Sequence, residues 1–502
     1  MKLRKIELHY QIVLGLLLGA VFGLLFPINQ NKLVFTHLEN NKKIKTEISE
    51  IKSLEFIYFN EFANDTITKE FGKNSQKLII QFYNKISSLP EIKSIDFRIT
   101  TTSDKEKTFQ SIQKVEPQST IATSLRPFGT IFINLLSMLA IPLVLTTLIV
   151  GASSLGDIKS FGKLGLITLV LYLLTSFFAL TIGVLLADLI QPGKMISMEM
   201  KNFLSAISSD VVIQVPEKTG ISIVDFVVSF VPKNIFESIA SGNMLQIVFF
   251  AIFFGLTLLL IPQSDAYIIT KLLNSVSNAL IKMVEIVMKF APIGVFALIS
   301  FTIADFGIDI LQTLIWYIVT VIVGLTLHNF LTYGVLFKLF LKESFWKYLS
   351  KLKEVYAIAF TTSSSAATLP ITMEVSEKVL NIPRKVTSFV LPLGATINMD
   401  GTGLYQGAAA IFISQFYGLD LSIMQQLTII FMAVMASIGT APVPGVGLIM
   451  LIGILTSVGI PVEGIGLILG VDRILDMSRT IVNVTGDITI AKIVAKISGI
   501  GK

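Results

Sequence analysis

From about residue 120 onward the chain is a succession of apolar runs, most of about 20 residues or more, and no other feature restricts its fold so severely. Runs of that length match a hydrocarbon core of about 30 Å. In such a solvent every backbone N–H and C=O has to be satisfied within the protein. Only 15% of residues are charged, against about 25% in soluble domains. A soluble enzyme, a disordered chain and a nucleic-acid-binding domain are excluded on these grounds. The net charge of +6 does not point to nucleic acid, because the basic residues stand between apolar segments, where a polytopic membrane protein carries them. With no cysteine there is no disulfide, thiolate chemistry or Cys-ligated metal. His9, His37 and His328 are far apart, and no HExxH or P-loop pattern occurs.

The N-terminal apolar stretch QIVLGLLLGAVFGLLF ends in FPINQ rather than a small-residue cleavage site, so residues 1–30 read as a retained first span. Further apolar segments lie at about 127–152, 164–190, 220–262, 268–303, 308–341, 355–376, 384–416, 426–458 and 462–498. Lys2, Arg4 and Lys5 place the N terminus in the cytoplasm, and Lys159, Lys163, Lys271 and the cluster Lys342, Lys347, Lys351 and Lys353 follow on the same side. The segment at 355–376 breaks the pattern. Crossing fully, it would put Lys378, Arg384 and Lys385 outside, and TTSSSAATLP interrupts its middle. SIGTAPVPGVG interrupts 426–458 in the same way. Two re-entrant hairpins remove both difficulties and leave eight spans. Irregular backbone at membrane depth lines a cavity, so the hairpins mark the binding site.

Residues 31–118 have a different composition, with 14 basic and 12 acidic residues. Following the first span, they are expected outside the cell, and a loop this long escapes the charge rule. Alternation in SLEFIYF and IKSIDFRIT predicts strands, and KNSQKLIIQFYNKIS has helical spacing. A small α+β domain is the reading, with a partly ordered loop as the alternative.

Polar residues inside the apolar segments carry the chemistry. In GVDRILDMSRTIVNVTGD, Asp472, Asp476, Arg479, Asn483 and Asp487 recur at spacings of 4, 3, 4 and 4, one stripe of an α-helix. Ionisable groups at bilayer depth cost roughly 2.5–3.5 kcal/mol each, so they are there for a reason. Three carboxylates and one guanidinium leave the stripe anionic and in want of cations, while Arg479 offers a planar fork to a carboxylate. The plain alternative is an Asp476–Arg479 salt bridge that only holds helices together. LPLGATINMDGTGLYQG is a poor continuous helix. A break there would expose carbonyls and bring Asn398 and Asp400 to the cavity, an oxygen set suited to a hard cation. The alternative is a glycine packing face. The run Ser363, Ser364 and Ser365 offers hydroxyls and backbone N–H groups to a substrate carboxylate.

Taken together, NMDGT at 398–402, TTSSSAATLP, ASIGTAPVPG and DRILDMSRTIVNVTGD resemble the glutamate/aspartate transporter family, the dicarboxylate/amino acid:cation symporters. The resemblance covers the first helix and about 120–502, and is to prokaryotic-type members; 31–118 is an insertion. It implies an all-α polytopic membrane fold of eight transmembrane helices and two re-entrant hairpins with inverted repeats, assembled as a homotrimer. It also implies a scaffold at about 119–160 and 191–303 with the first span, and a mobile transport domain at about 161–190 and 304–502 that moves as an elevator. Carried over by motif, the substrate residues are Ser365, Thr402, Val443, Gly447, Asp476, Arg479, Thr480 and Asn483. Asp476 and Thr480 would receive the ammonium, Arg479 and Thr402 the side-chain carboxylate, and Asn483 with Ser365 the α-carboxylate. Val443 and Gly447 would close the gate. One sodium site would use Gly394, Asn398, Asn483 and Asp487. A second would use Thr396, Ser437, Ile438 and Thr440. A third would use Tyr172, Thr175, Ser176, Asn398 and Asp400, and Met399 belongs to the same cation-binding segment. The sequence departs from the family's archaeal pattern at Pro442, at Ala366, and at Ser363 and Met477, neither of which is the arginine found in some members.

The expected function is sodium-driven symport of L-aspartate or L-glutamate across the plasma (inner) membrane, with no enzymatic activity and no nucleic-acid partner. A proton-coupled amino-acid or C4-dicarboxylate carrier is the alternative. A receptor sensing through 31–118 is a third reading, opposed by the intact motifs.

Overall fold

The computed structural model describes residues 8–29, 32–39, 42–60, 65–72, 76–87, 89, 92–116, 118, 120–154, 163–195, 228, 230–307, 309–439 and 445–499. Lys2, Arg4, Lys5, Lys159 and Lys502, the start of the segment at 220–262, and Thr440, Pro442 and Val443 lie outside the described residues.

Helix α1 (Leu8–Leu25) leads into strands β1 (Leu33–Glu39), β2 (Lys42–Ile48), β3 (Ile51–Asn60) and β4 (Asp65–Gly72). Helix α2 (Gln76–Ser87) and strands β5 (Ile92–Thr101), β6 (Glu106–Phe109) and β7 (Ile112–Glu116) complete this unit. Two antiparallel sheets form, ordered β2-β1-β7 and β4-β3-β5-β6. Strands β3 and β5 and helix α2 fall where alternation and helical spacing predict them; β1, β2, β4, β6 and β7 are strands that the sequence reading did not single out. In register, Phe56 faces Phe97 and Leu54 faces Ile99, and all four are fully buried. Ile79, Phe82, Tyr83 and Ile86, one face of α2, join this core. Phe97 meets Phe35 and Phe56 edge to face, with ring centroids 5.4 and 4.6 Å apart, the geometry that aromatic quadrupoles favour. Polar side chains on the outer faces pair with one another, as Arg98 does with Glu55 at 2.8 Å.

The remainder is helical. Helices α3 (Arg126–Ser154), α4 (Lys163–Ile190), α5 (Ile235–Ser241), α6 (Met244–Thr257), α7 (Gln263–Met288), α8 (Ala291–Phe306) and α9 (Asp309–Leu327) come first. A π-helical turn, His328–Gly334, joins α9 to α10 (Val335–Leu341). Then follow α11 (Phe345–Leu349), α12 (Lys353–Thr362), α13 (Ser365–Lys378), α14 (Arg384–Ile397) and α15 (Asp400–Phe416). Helices α16 (Ile423–Gly439), α17 (Val446–Ser457) and α18 (Ile465–Ser498) end the chain. Among the described residues, Thr123–Ser153, Leu164–Lys194 and Ile310–Leu341 are long and apolar enough to cross a membrane. Helices α7 and α8 make a fourth candidate, bent by 54°. Pro292 stands at the bend, where its missing N–H breaks the hydrogen-bond ladder.

Two packing relations position the interior. Helix α15 is buried at every residue and lies against α4, α9, α16 and α18. Helix α1 lies along α8 on a stripe of Gly15, Gly19 and Gly23. A Cβ at these glycines would meet the carbonyl oxygens of Pro292, Phe296 and Ser300 at 2.6, 2.8 and 2.7 Å. Only hydrogen fits there, and close backbone approach drives helix association in lipid. Replacing Gly19 by Leu is therefore expected to force α1 off α8 at an overpacking cost of about 1–3 kcal/mol. A lowered unfolding temperature of the detergent-solubilised protein is the readout, and an unchanged one would contradict this contact.

Candidate functional site

Three helix breaks converge on α18. At the first, Ser363 adopts a left-handed conformation (φ 50°) that ends α12. Ser364 then caps α13, its hydroxyl accepting from the Ala367 N–H at 3.2 Å. Part of the serine run is therefore explained by local capping. At the second, Asn398 and Met399 separate α14 from α15. At the third, α16 ends at Gly439, and Gly445 (φ 82°) precedes α17. Helix α18 itself runs unbroken past all three, with α13, α14 and α15 packed on it.

The stripe on α18 divides into two polar clusters. In the first, Arg479 is completely buried and lies 2.9 Å from Asp476 Oδ1 and 3.2 Å from Asp472 Oδ1. Its guanidinium also covers the ring of Tyr405 at 3.8 Å. None of the Arg479 N–H groups makes a directed hydrogen bond, so charge and the ring face hold the group in place while its donors stay unused. Gly447 lies beside it, a Cβ there meeting Thr402 at 3.1 Å and Arg479 Nη1 at 3.5 Å. Asn483 links the helices by accepting from the Gly401 N–H at 2.8 Å and donating to Thr402 Oγ1 and Met399 Sδ, each at 3.4 Å. The Gly445 N–H donates to Asp476 Oδ2 at 3.3 Å, joining the third break to the stripe.

The second cluster surrounds Asp400 and Asp487, both buried. Ser176 donates to Asp400 Oδ1 at 2.5 Å and Tyr333 donates to Oδ2 at 2.6 Å. His328 Nε2 is 3.2 Å from the same Oδ2. Asp487 Oδ1 accepts from Asn398 Nδ2 at 2.9 Å. The Asn398 Oδ1 has no hydrogen-bond partner although it is buried. Gly394 stands so close to Asp487 and Tyr172 that a methyl group there would overlap both. Among the described residues no Lys or Arg pairs with either carboxylate. Buried carboxylates without a lysine or arginine partner, next to an oxygen without a donor, suit a cation.

Most residues predicted from sequence come together here: Asp476, Arg479, Thr402, Gly447, Asn483 and Met399 in one cluster, and Asp400, Asp487, Asn398, Gly394, Tyr172 and Ser176 in the other. Thr175 and Thr480 are buried, but their hydroxyls are bonded back to the carbonyls of Tyr172 and Asp476. Ser365 is buried at the first turn of α13. Ser437 donates to the Val434 carbonyl, and the exposed Thr396 side chain bonds within α14. Ile438 lies in the last turn of α16, while Thr440 and Val443 fall outside the described residues. The Asp476–Arg479 salt bridge of the plain alternative is present, and Asp472 shares it. Sequence reasoning passed over His328, Tyr333, Tyr405 and Arg473. A histidine inside an apolar run was the one visible signal, and the π-turn that turns His328 and Tyr333 inward has no sequence signature. A cavity of about 370 Å³ reaches the first cluster, lined by Leu8, Ile12, Met288, Gly445, Asp472, Arg473 and Asp476 among others.

Residues 117–497 match the family model described as the sodium:dicarboxylate symporter family. The chain is 39% identical over 379 residues to a proton/sodium-glutamate symport protein of Bacillus caldotenax, covering 76% of this chain and 89% of that protein. It is 37% identical over 376 residues to a proton/glutamate-aspartate symporter of Escherichia coli K12, covering 75% and 86%. A C4-dicarboxylate transport protein of Bacillus subtilis 168 is 33% identical over 379 residues, covering 75% and 88%. The family model's match begins at residue 117, after the last strand of the sheet-containing segment.

Replacing Tyr333 by Phe is expected to remove one of the hydrogen bonds that hold Asp400, at a cost of about 1.5–3 kcal/mol, as for bonds to charged groups. Thermal unfolding in detergent measures it, and a variant as stable as the parent would mean that Asp400 does not depend on this donor.

Proposed function

Because this chain belongs to the sodium:dicarboxylate symporter family, a family of cation-coupled transporters, we propose that it is a secondary active symporter carrying L-aspartate or L-glutamate on the sodium gradient. The observation that carries this reading is the buried Arg479, ion-paired with Asp476 and Asp472 yet making no directed hydrogen bond. A free acidic amino acid has two carboxylates and one ammonium. Arg479 with Thr402 suits one carboxylate, Asn483 with Ser365 the other, and Asp476 the ammonium. Burying guanidinium N–H groups that make no directed hydrogen bond is costly, and a carboxylate ligand relieves that cost.

The coupling follows from charge. Asp400 and Asp487 are buried with no lysine or arginine partner among the described residues, so bringing in a substrate of net charge −1 is far easier after cations have neutralised them. Sodium matches the oxygen ligands: Asn398 Oδ1, the carboxylates, the hydroxyls of Tyr172, Thr175 and Ser176, Met399 within the same segment, and the carbonyls of Gly394 and Asn483. These ligands divide between two of the three sites, and a further ion would use carbonyls of Thr396, Ser437, Ile438 and Thr440. Cation and substrate then raise each other's affinity by the same factor.

In the cell this is a plasma-membrane protein of eight spans and two hairpins, a homotrimer with its N terminus inside and 31–118 outside. Residues of α1, α7 and α8 belong to the static scaffold, and α4 with α9 to α18 to the transport domain. Leu8 and Ile12, near the cytoplasmic end of α1 in this orientation, line the cavity that reaches Asp476, which corresponds to the inward-facing half of an elevator cycle. A second reading, proton coupling, is favoured by His328 lying against Asp400, because an imidazole can both give and take a proton.

Uptake into proteoliposomes separates these readings. Aspartate accumulation should require an inward sodium gradient; equal uptake without it rejects sodium coupling, and uptake driven by a pH gradient alone selects the second reading. Asp476→Asn should weaken amino-acid binding more than tenfold, roughly the 1.4 kcal/mol or more expected of a lost ion pair in a desolvated site. Asp487→Asn should shift the sodium dependence of binding to higher concentration while leaving the substrate order unchanged, as sodium titrations at fixed aspartate would record.

A further inference from the structure

We propose that Arg473 sets how the site weighs amino-acid dicarboxylates against dicarboxylates that lack an amino group, by sharing the carboxylate of Asp476. The inference rests on the acidic-amino-acid reading of the site given above.

Asp476 presents two oxygens in different surroundings. Oδ1 lies 2.9 Å from Arg479. Oδ2 faces Arg473 Nη1 at 3.9 Å and the Gly445 N–H at 3.3 Å. The Arg473 side chain is 20% exposed, and its Nε is buried without a hydrogen-bond partner. It lines the cavity between α18 and α7. From α7, Glu285 and Lys289 line the same cavity, and Lys282 already holds Glu285 at 2.5 Å. Arg473, Arg479, Asp472 and Asp476 therefore form a cluster of two positive and two negative charges.

This arrangement decides what a ligand meets. When a substrate carboxylate takes Arg479, Oδ1 of Asp476 is released and an ammonium can approach it. Arg473 remains on the other oxygen and opposes that ammonium, because like charges a few ångströms apart repel strongly in a desolvated site. A dicarboxylate without an amino group meets the opposite situation. It brings no cation for Asp476, and Arg473 offsets the repulsion between Asp476 and the ligand. Arg473 is thus a positioning residue acting through Asp476, and it moves the two ligand classes in opposite directions. A packing defect would weaken both together.

The test uses full-length protein in lipid nanodiscs at saturating sodium, with L-aspartate affinity measured by calorimetry and succinate affinity by competition. Arg473→Gln and Arg473→Met remove the charge while keeping much of the side chain's length, and Arg473→Lys keeps the charge. The expected result is a tighter aspartate, a weaker succinate and an affinity ratio raised about tenfold in both neutral variants, with the lysine variant near the parent. A ratio within about threefold of the parent in both neutral variants, or both ligands weakening together, overturns the inference. A parent protein that binds neither ligand overturns the functional reading along with it; a parent that binds aspartate while the ratio stays fixed overturns this inference alone.

Discussion

Charge held among apolar helices must be matched or offered to a ligand, and the pairing of Arg479 with Asp472 and Asp476 is where this molecule meets that demand. A guanidinium with no exposed surface would not persist alone in such surroundings. Two carboxylates and the face of Tyr405 keep it in place. Its N–H groups nevertheless remain without directed hydrogen bonds. The pair thus combines two ion-pair contacts with N–H groups that make no directed hydrogen bond, the feature on which the proposed role of Arg479 rests.

The broken helices serve the same demand from the backbone side. A continuous helix consumes its own carbonyls and amides, leaving nothing for a cation or an anion. Breaks at 363–364 and 398–399, with Gly445 opening the third, release those groups beside α18. Glycines allow the close approach: Gly401 brings α15 so near that a Cβ would lie 2.5 Å from the Arg479 carbonyl. The site is assembled from segments remote in sequence, and its two clusters are joined through Asn398, which donates to the Asn483 carbonyl and to Asp487 on α18, and through Asn483, which accepts from the Gly401 N–H of α15.

The sheet-containing unit stands apart in its physics. Its strands bury one face and leave the other charged, and an aromatic core of Phe35, Phe56 and Phe97 holds it together. It folds by the water-driven hydrophobic effect, whereas the helical body relies on close packing and satisfied polar groups. One chain therefore obeys two sets of rules.

The sequence alone determined the parts that depend on local pattern. Apolar length marked the helices, alternation marked strands β3 and β5, polar interruptions marked the breaks at TTSSSAATLP and NMDGT, and spacing put Asp472, Asp476, Arg479, Asn483 and Asp487 on one helical stripe. Tertiary structure decided which of these groups meet. Asp472 joins the Arg479 pair, and Asp476 is divided between Arg479 and Arg473. Asp400 is held by Ser176, Tyr333 and His328 from two other helical segments. Periodicity reports the face of a single helix; it carries nothing about the partner facing it, which helix crossing and a π-helical turn set in three dimensions.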